Sequence, residues 1–200
     1  MFNVRVFSKI AASLFVVFLL GMAPLSSSLF AQDYETLPGN GEWSSMESNY
    51  FVIHYDPSAD LDSIEKSLTK RPLYFDQAAR YGEVTARGEI CARLDKLYNR
   101  VQDVLDMHPK TPMIKIIIFR DSDALNAKYA EIFGTAADLK SFYIYKYNTI
   151  YVSESDMDDS VMIHEMAHAV MDHYFTVLPP ESVAEILAAY VETHLEGQPS

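Results

Sequence analysis

Residues 164–168 read His-Glu-Met-Ala-His. On a helix, positions four apart differ by about 40° in azimuth and one turn in height, so both imidazoles converge on one point. Two converging imidazoles are a ligand pair for zinc, and a glutamate between them is placed to act on a water that the metal binds. Glu165 lies about 100° from His164 around such a helix, so it flanks the metal without ligating it. Val161, Met162, Ala169 and Val170 supply apolar flanks, which makes the helix recognisable independently of the motif. Histidines and a glutamate buried without partners would be costly, so a metal explains the pattern better than ordinary packing.

A catalytic zinc site takes three protein ligands and keeps one position open. His173 is the next histidine, but it lies about 180° from His164 around the same helix and points away, so it reads as structural. The following helix offers Glu181, Glu185, Glu192 and Glu196. Glu181, Glu185 and Glu192 fall on one face, and spacing alone does not choose between them. Glu181 sits in the first turn, where a carboxylate complements the helix dipole. Glu192 comes nearly two turns after Glu185, in a helix end that reads as solvated.

The segment 149–192 resembles the core of the gluzincin (peptidase-MA-like) metallopeptidases. These carry HExxH on one helix and, after a loop often closed by proline, a second helix reading roughly E-G-L-A-x-Y. Pro180 and the run Glu185-Ile-Leu-Ala-Ala-Tyr match that second block, with Ile186 where glycine is usual. The resemblance implies Glu185 as the third ligand of one Zn²⁺ held by His164 and His168. It also implies that the strand 149–153 is an exposed edge beside the metal, pairing with an extended peptide. Tyr190, about 140° from Glu185, reads as core rather than as an oxyanion donor; His194 is no better placed, and no donor is named.

These residues need elements to hold them. Strands are expected at 50–55, 113–119, 141–147 and 149–153, with a hairpin or tight bend at Tyr147-Asn148. Helices are expected at 61–68, 90–107, 122–133, 158–174 and 181–196. Pro179 and Pro180 cannot continue the first of the last two helices but suit the opening turn of the second. Residues 73–87 carry no clear pattern. The sum is α+β: a small mixed sheet with an edge hairpin, then an HExxH helix and a glutamate-bearing helix, a zincin-like arrangement.

The 200-residue chain begins with Arg5 and Lys9, then an uncharged apolar run at 10–23. That run suits a signal peptide and is short of the roughly 20 residues that a spanning helix needs. The expected organisation is a leader at 1–31 cleaved after Ala31, a linker or arm at 32–48, a metallopeptidase domain at 49–197 and a tail at 198–200. The mature protein would then be secreted or periplasmic. Losing Arg5 and Lys9 leaves 14 Lys and Arg against 28 Asp and Glu, a net charge of −14. So acidic a chain is not expected to bind nucleic acid, nor membrane beyond export. Cys91 is the only cysteine, which rules out an intramolecular disulfide, and its apolar stripe suggests a buried thiol. The expected function is peptide-bond hydrolysis of a peptide or protein substrate, with Glu165 as general base. The competing expectation is a zinc-binding domain that is catalytically silent or held shut by its own segment.

Overall fold

β-Branched and aromatic side chains dominate the extended segments, as a pleated and half-buried surface requires. The computed structural model describes residues 6–8, 43–68, 85–110 and 112–196. Its strands are β1 (Val6–Ser8), β2 (Ser44–Glu47), β3 (Phe51–Tyr55), β4 (Ile114–Phe119), β5 (Ser141–Ile144) and β6 (Thr149–Ser153). Its helices are α1 (Leu61–Leu68), α2 (Ala86–Leu105), α3 (Ser122–Phe133), α4 (Asp159–Tyr174) and α5 (Glu181–Glu196). The strands form one mixed sheet in the order β1-β5-β6-β4-β3-β2. β3, β4 and β6 run parallel, and β2, β5 and β1 pair antiparallel to their neighbours. The protein is α+β.

Alternation along each strand sends side chains to two separate cores. Ile114, Ile116 and Ile118 of β4, with Ile150 and Val152 of β6, face a core shared with α1, α2, α4 and α5. Ile117, Phe119 and Tyr151 face the other way, into a smaller core closed by Leu125 and the partly buried Tyr129 and Phe133 of α3. Helix ends follow their caps. Asp121 accepts from the Ala124 amide at the start of α3, and Gly134 closes it with φ 69°. Asp158 accepts from Val161 at 2.9 Å to start α4. The carbonyl of Pro180 receives the Val183 and Ala184 amides in the first turn of α5.

Several expected boundaries move. α2 begins at Ala86, four residues earlier than its apolar periodicity suggests, because Thr85 caps it; it ends where Asp106 turns left-handed at φ 51°. The run 141–147 is a strand only to Ile144. A 3₁₀ turn at Tyr145–Tyr147 and a left-handed Asn148 (φ 47°) then reverse the chain into β6, so the bend at 147–148 is present. Residues 44–47, expected in a linker or arm, form β2 on the outer side of β3. Val6–Ser8, inside the expected leader, pairs along β5; the rest of 1–31, and the tail, lie outside the described residues. No described helix is long and apolar enough to cross a membrane.

The largest correction concerns 149–153. This strand is interior, because β5 folds back on one side of it and β4 lies on the other. Its main chain already has sheet partners on both sides, so it has no free edge to offer a peptide. Cys91 is also half-buried rather than fully enclosed: it flanks the larger core, and its sulfur lies 3.6 Å from the Glu47 carbonyl.

Candidate functional site

α4 is buried almost throughout, from Val161 to Asp172. Such a helix must be seated by its own polar groups as well as by apolar contact. At its first turn Asp159 meets Arg93 of α2 in a buried ion pair, with Arg93 Nε 3.2 Å from Asp159 Oδ1 and an Nη2 contact to Oδ2. At its far end His173 Nε2 lies 2.8 Å from Asn148 Oδ1, so the helix is tied to the β5–β6 turn. His173 is therefore structural and away from the motif, as its azimuth suggests.

Between these anchors α5 packs across α4 and α2 through Ala184, Ala188 and Val191. Glu185 and Glu192 each follow a residue of that stripe, so both sit along the edge of the interhelical contact. The result is a tight cluster of His164, His168 and Glu185, whose ligand atoms all lie within 4.8 Å of one another. His164 Nε2 and His168 Nε2 are 3.2 Å apart. Glu185 Oε2 is 3.4 Å from the first and Oε1 is 3.3 Å from the second. In a tetrahedral zinc site with bonds of about 2.0–2.1 Å, the distance between neighbouring ligand atoms is about 3.3–3.4 Å. The donor set, two imidazoles and a carboxylate, and its spacing both fit that ion.

The electrostatics couple the three groups to one another. Burial would raise the Glu185 carboxyl, but hydrogen bonds from His164 and His168 outweigh it and hold it down at about 2. Burial pushes His164 down, yet Glu185, Glu192 and Glu165 together raise it to about 9. His168 lies deeper, so burial prevails and lowers it to about 4, with Glu185 opposing only in part. Near neutral pH the histidine pair thus carries one positive charge, on His164, whose Nε2 proton a cation would displace.

Protein-family models, curated proteins and solved structures were all compared with the chain. None matches.

Glu165 stands beside the cluster but outside it. Its carboxylate is fully buried, and Oε1 accepts a 2.7 Å hydrogen bond from Ser141 Oγ at the head of β5. Ser141 points to this face by alternation, two residues before Tyr143, which is in the larger core. Glu181 is exposed and contributes nothing to the cluster. Glu192, expected to be solvated, instead lies with Oε2 3.5 Å from His164 Nδ1, its side chain 16% exposed. Tyr190, expected in the core, is 46% exposed and stacks on His194. It projects outward because the buried stripe of α5 is set by Ala184, Ala188 and Val191.

Sequence reasoning missed Ser141, Ser160, Arg93 and Asp159. Arg93 carried a signal: a lone cation between Ile90, Leu94 and Leu97 on an apolar stripe requires a buried counter-charge. Ser160 carried a weaker one, four residues before His164 and on its face. Ser141 carried none, since any small polar residue can open a strand.

Proposed function

We propose that this chain is a zinc-dependent peptide-bond hydrolase of the gluzincin type, zincin-like in arrangement, acting outside the cytoplasm after its leader is removed. The observation that carries the reading is the cluster of His164 Nε2, His168 Nε2 and the two Glu185 carboxylate oxygens, in contact at 3.2, 3.4 and 3.3 Å, next to a glutamate that is not part of it. His164, His168 and Glu185 would hold the ion, which when bound would supply Lewis acidity toward a carbonyl and toward water. Glu165 would accept the proton of the attacking water and return it to the leaving amine. Ser141 would fix the Glu165 carboxylate through the bond to Oε1. The partly exposed side chain of Glu185, at 36%, marks the side from which the cluster meets solvent.

A peptide substrate would not add to β6, which is interior. β5 is the strand whose outer side pairs with Val6–Ser8, and removal of the leader would expose that edge for strand addition.

The complete burial of Glu165 favours a second reading, a zinc-binding domain that is silent or held shut. One experiment separates the two. The chain lacking residues 1–31 should contain about one zinc, and Glu165→Gln should keep it. Turnover of a broad peptide library should fall about 10²–10⁴-fold in that variant at equal zinc occupancy. Zinc without turnover in the wild type would select the silent domain. No zinc in the wild type would end both readings.

A further inference from the structure

An imidazole has two nitrogens on opposite edges of its ring, and a neutral ring carries one proton between them. If Nε2 offers its lone pair to a cation, Nδ1 must carry the proton, and what accepts that proton fixes both tautomer and ring orientation. For His164, Nε2 is the nitrogen turned toward His168 and Glu185. The carboxylate near Nδ1 is that of Glu192, with Oε2 3.5 Å away, an ion-pair contact rather than a closed hydrogen bond. Glu192 is not among the residues whose ligand atoms lie within 4.8 Å of one another. It is held in turn from its other oxygen, because Ser160 Oγ donates to Glu192 Oε1.

The helices make this possible. Ser160 and His164 are one turn apart on the same side of α4. Glu185 and Glu192 are seven residues apart, so they return to nearly the same azimuth roughly 10 Å along α5. One face of α5 thus meets one histidine twice: Glu185 at the metal-facing nitrogen and Glu192 at the opposite one. Serine, glutamate and histidine together also suggest a nucleophile with its base. That chemistry requires the serine to donate to the imidazole, and Ser160 donates to the carboxylate instead.

We propose that Glu192 is a positioning residue of this site. Anchored by Ser160, it accepts the Nδ1 proton of His164 and so presents Nε2 to the cation. The proposal rests on the zinc reading given above, and the experiment is arranged so that the two fail separately.

The probe is Zn²⁺ alone, titrated into the chain lacking 1–31 against a competing chelator, with wild type, E192A, E192Q, S160A and E181Q compared. Outer carboxylate partners of ligating histidines typically change metal affinity about 10- to 100-fold, so E192A should weaken binding by that factor. E192Q keeps an acceptor oxygen but loses the charge, and should fall between wild type and E192A. S160A should lose a few-fold at most, and E181Q should match wild type. The second readout is nuclear magnetic resonance of the His164 ring in the zinc-loaded protein. Wild type should show a slowly exchanging proton on Nδ1, and E192Q should shift that resonance. A merely structural glutamate would leave it unmoved.

Unchanged zinc affinity in E192A, or an unshifted His164 Nδ1 proton in E192Q, overturns the positioning role while leaving the zinc site intact. If E192A does not fold, the E192Q affinity and resonance decide alone. No zinc uptake by the wild type overturns both proposals.

Discussion

The two faces of the sheet solve the same packing problem with different chemistry. The face under α3 is aromatic: Phe142 stacks on Tyr151 at 4.7 Å and meets Tyr129 edge-on at 5.2 Å, while Trp43 packs edge-on against Phe119. The face under α2, α4 and α5 mixes aliphatic strand residues with Phe51, Tyr55 and Tyr143, and holds Arg93, Asp159, His164, Glu165, His168 and Asp172, all buried. Buried charge costs several kcal/mol per ion unless paired, so a fold tolerates it only where something offsets the cost. The aromatic face also buries a charge, Lys128, paired with Glu131 at 2.9 Å, but otherwise supplies stability through area and ring contact. The polar face spends part of that stability on holding charged groups at fixed distances. The contrast teaches where to look for chemistry: on the side of the sheet where buried polar and charged groups cluster.

That division can be broken experimentally. The largest effect on stability should come from Asp159→Ala, which strands Arg93 as an uncompensated buried cation. We expect a loss of about 3–5 kcal/mol by chemical denaturation. The double variant Arg93→Met with Asp159→Leu should recover most of it, since an apolar pair of similar volume replaces the charges. A double variant as unstable as the single one would show that cavity, not charge, dominates there.

Phe142→Ala tests the other face. It should cost a similar or slightly smaller amount, about 3–5 kcal/mol, through lost area and an unfilled cavity. Zinc stoichiometry, measured under conditions where the variant remains folded, should be unchanged. Lost zinc in this variant would mean that the two faces are not independent.

A smaller effect is expected from Ser141→Ala, about 1–3 kcal/mol, because it removes the donor that the buried Glu165 carboxylate uses. Peptide turnover should fall with it, while zinc affinity holds. The smallest effect should be Ile117→Val on the aromatic face, about 0.5–1.5 kcal/mol with no change in metal or turnover. A shift in zinc affinity here would blur the distinction altogether.

Within single elements the sequence was legible. The periodicities of α1, α3 and α5, the extent of β6, and the HExxH register on α4 are local properties, set by side chains a few residues apart. Boundaries slipped where a cap or turn outweighed periodicity. Thr85 extends α2, and Asn148 with its 3₁₀ turn shortens β5, because one hydrogen bond or one left-handed residue decides where an element stops. The candidate ligands stand the same way: helical spacing brings His164 and His168 together without any tertiary information.

What spacing left open was the choice among Glu181, Glu185 and Glu192, which resemblance alone resolved in favour of Glu185. The tertiary structure gives two of the three a place: Glu185 at the Nε2 atoms of His164 and His168, and Glu192 near Nδ1 of His164. It also moved β6 from edge to interior, and it paired Arg93 with Asp159 across 66 residues and Ser141 with Glu165 across 24. The physical reason is common to all of these. Periodicity specifies which face of a helix or strand is apolar, but not the rotation and sliding of one element on another. A turn of helix is about 5.4 Å, so a slip of that size between α4 and α5 would exchange one glutamate's neighbours for another's. Only the packed core, through Ala184, Ala188 and Val191 against α4 and α2, removes that freedom.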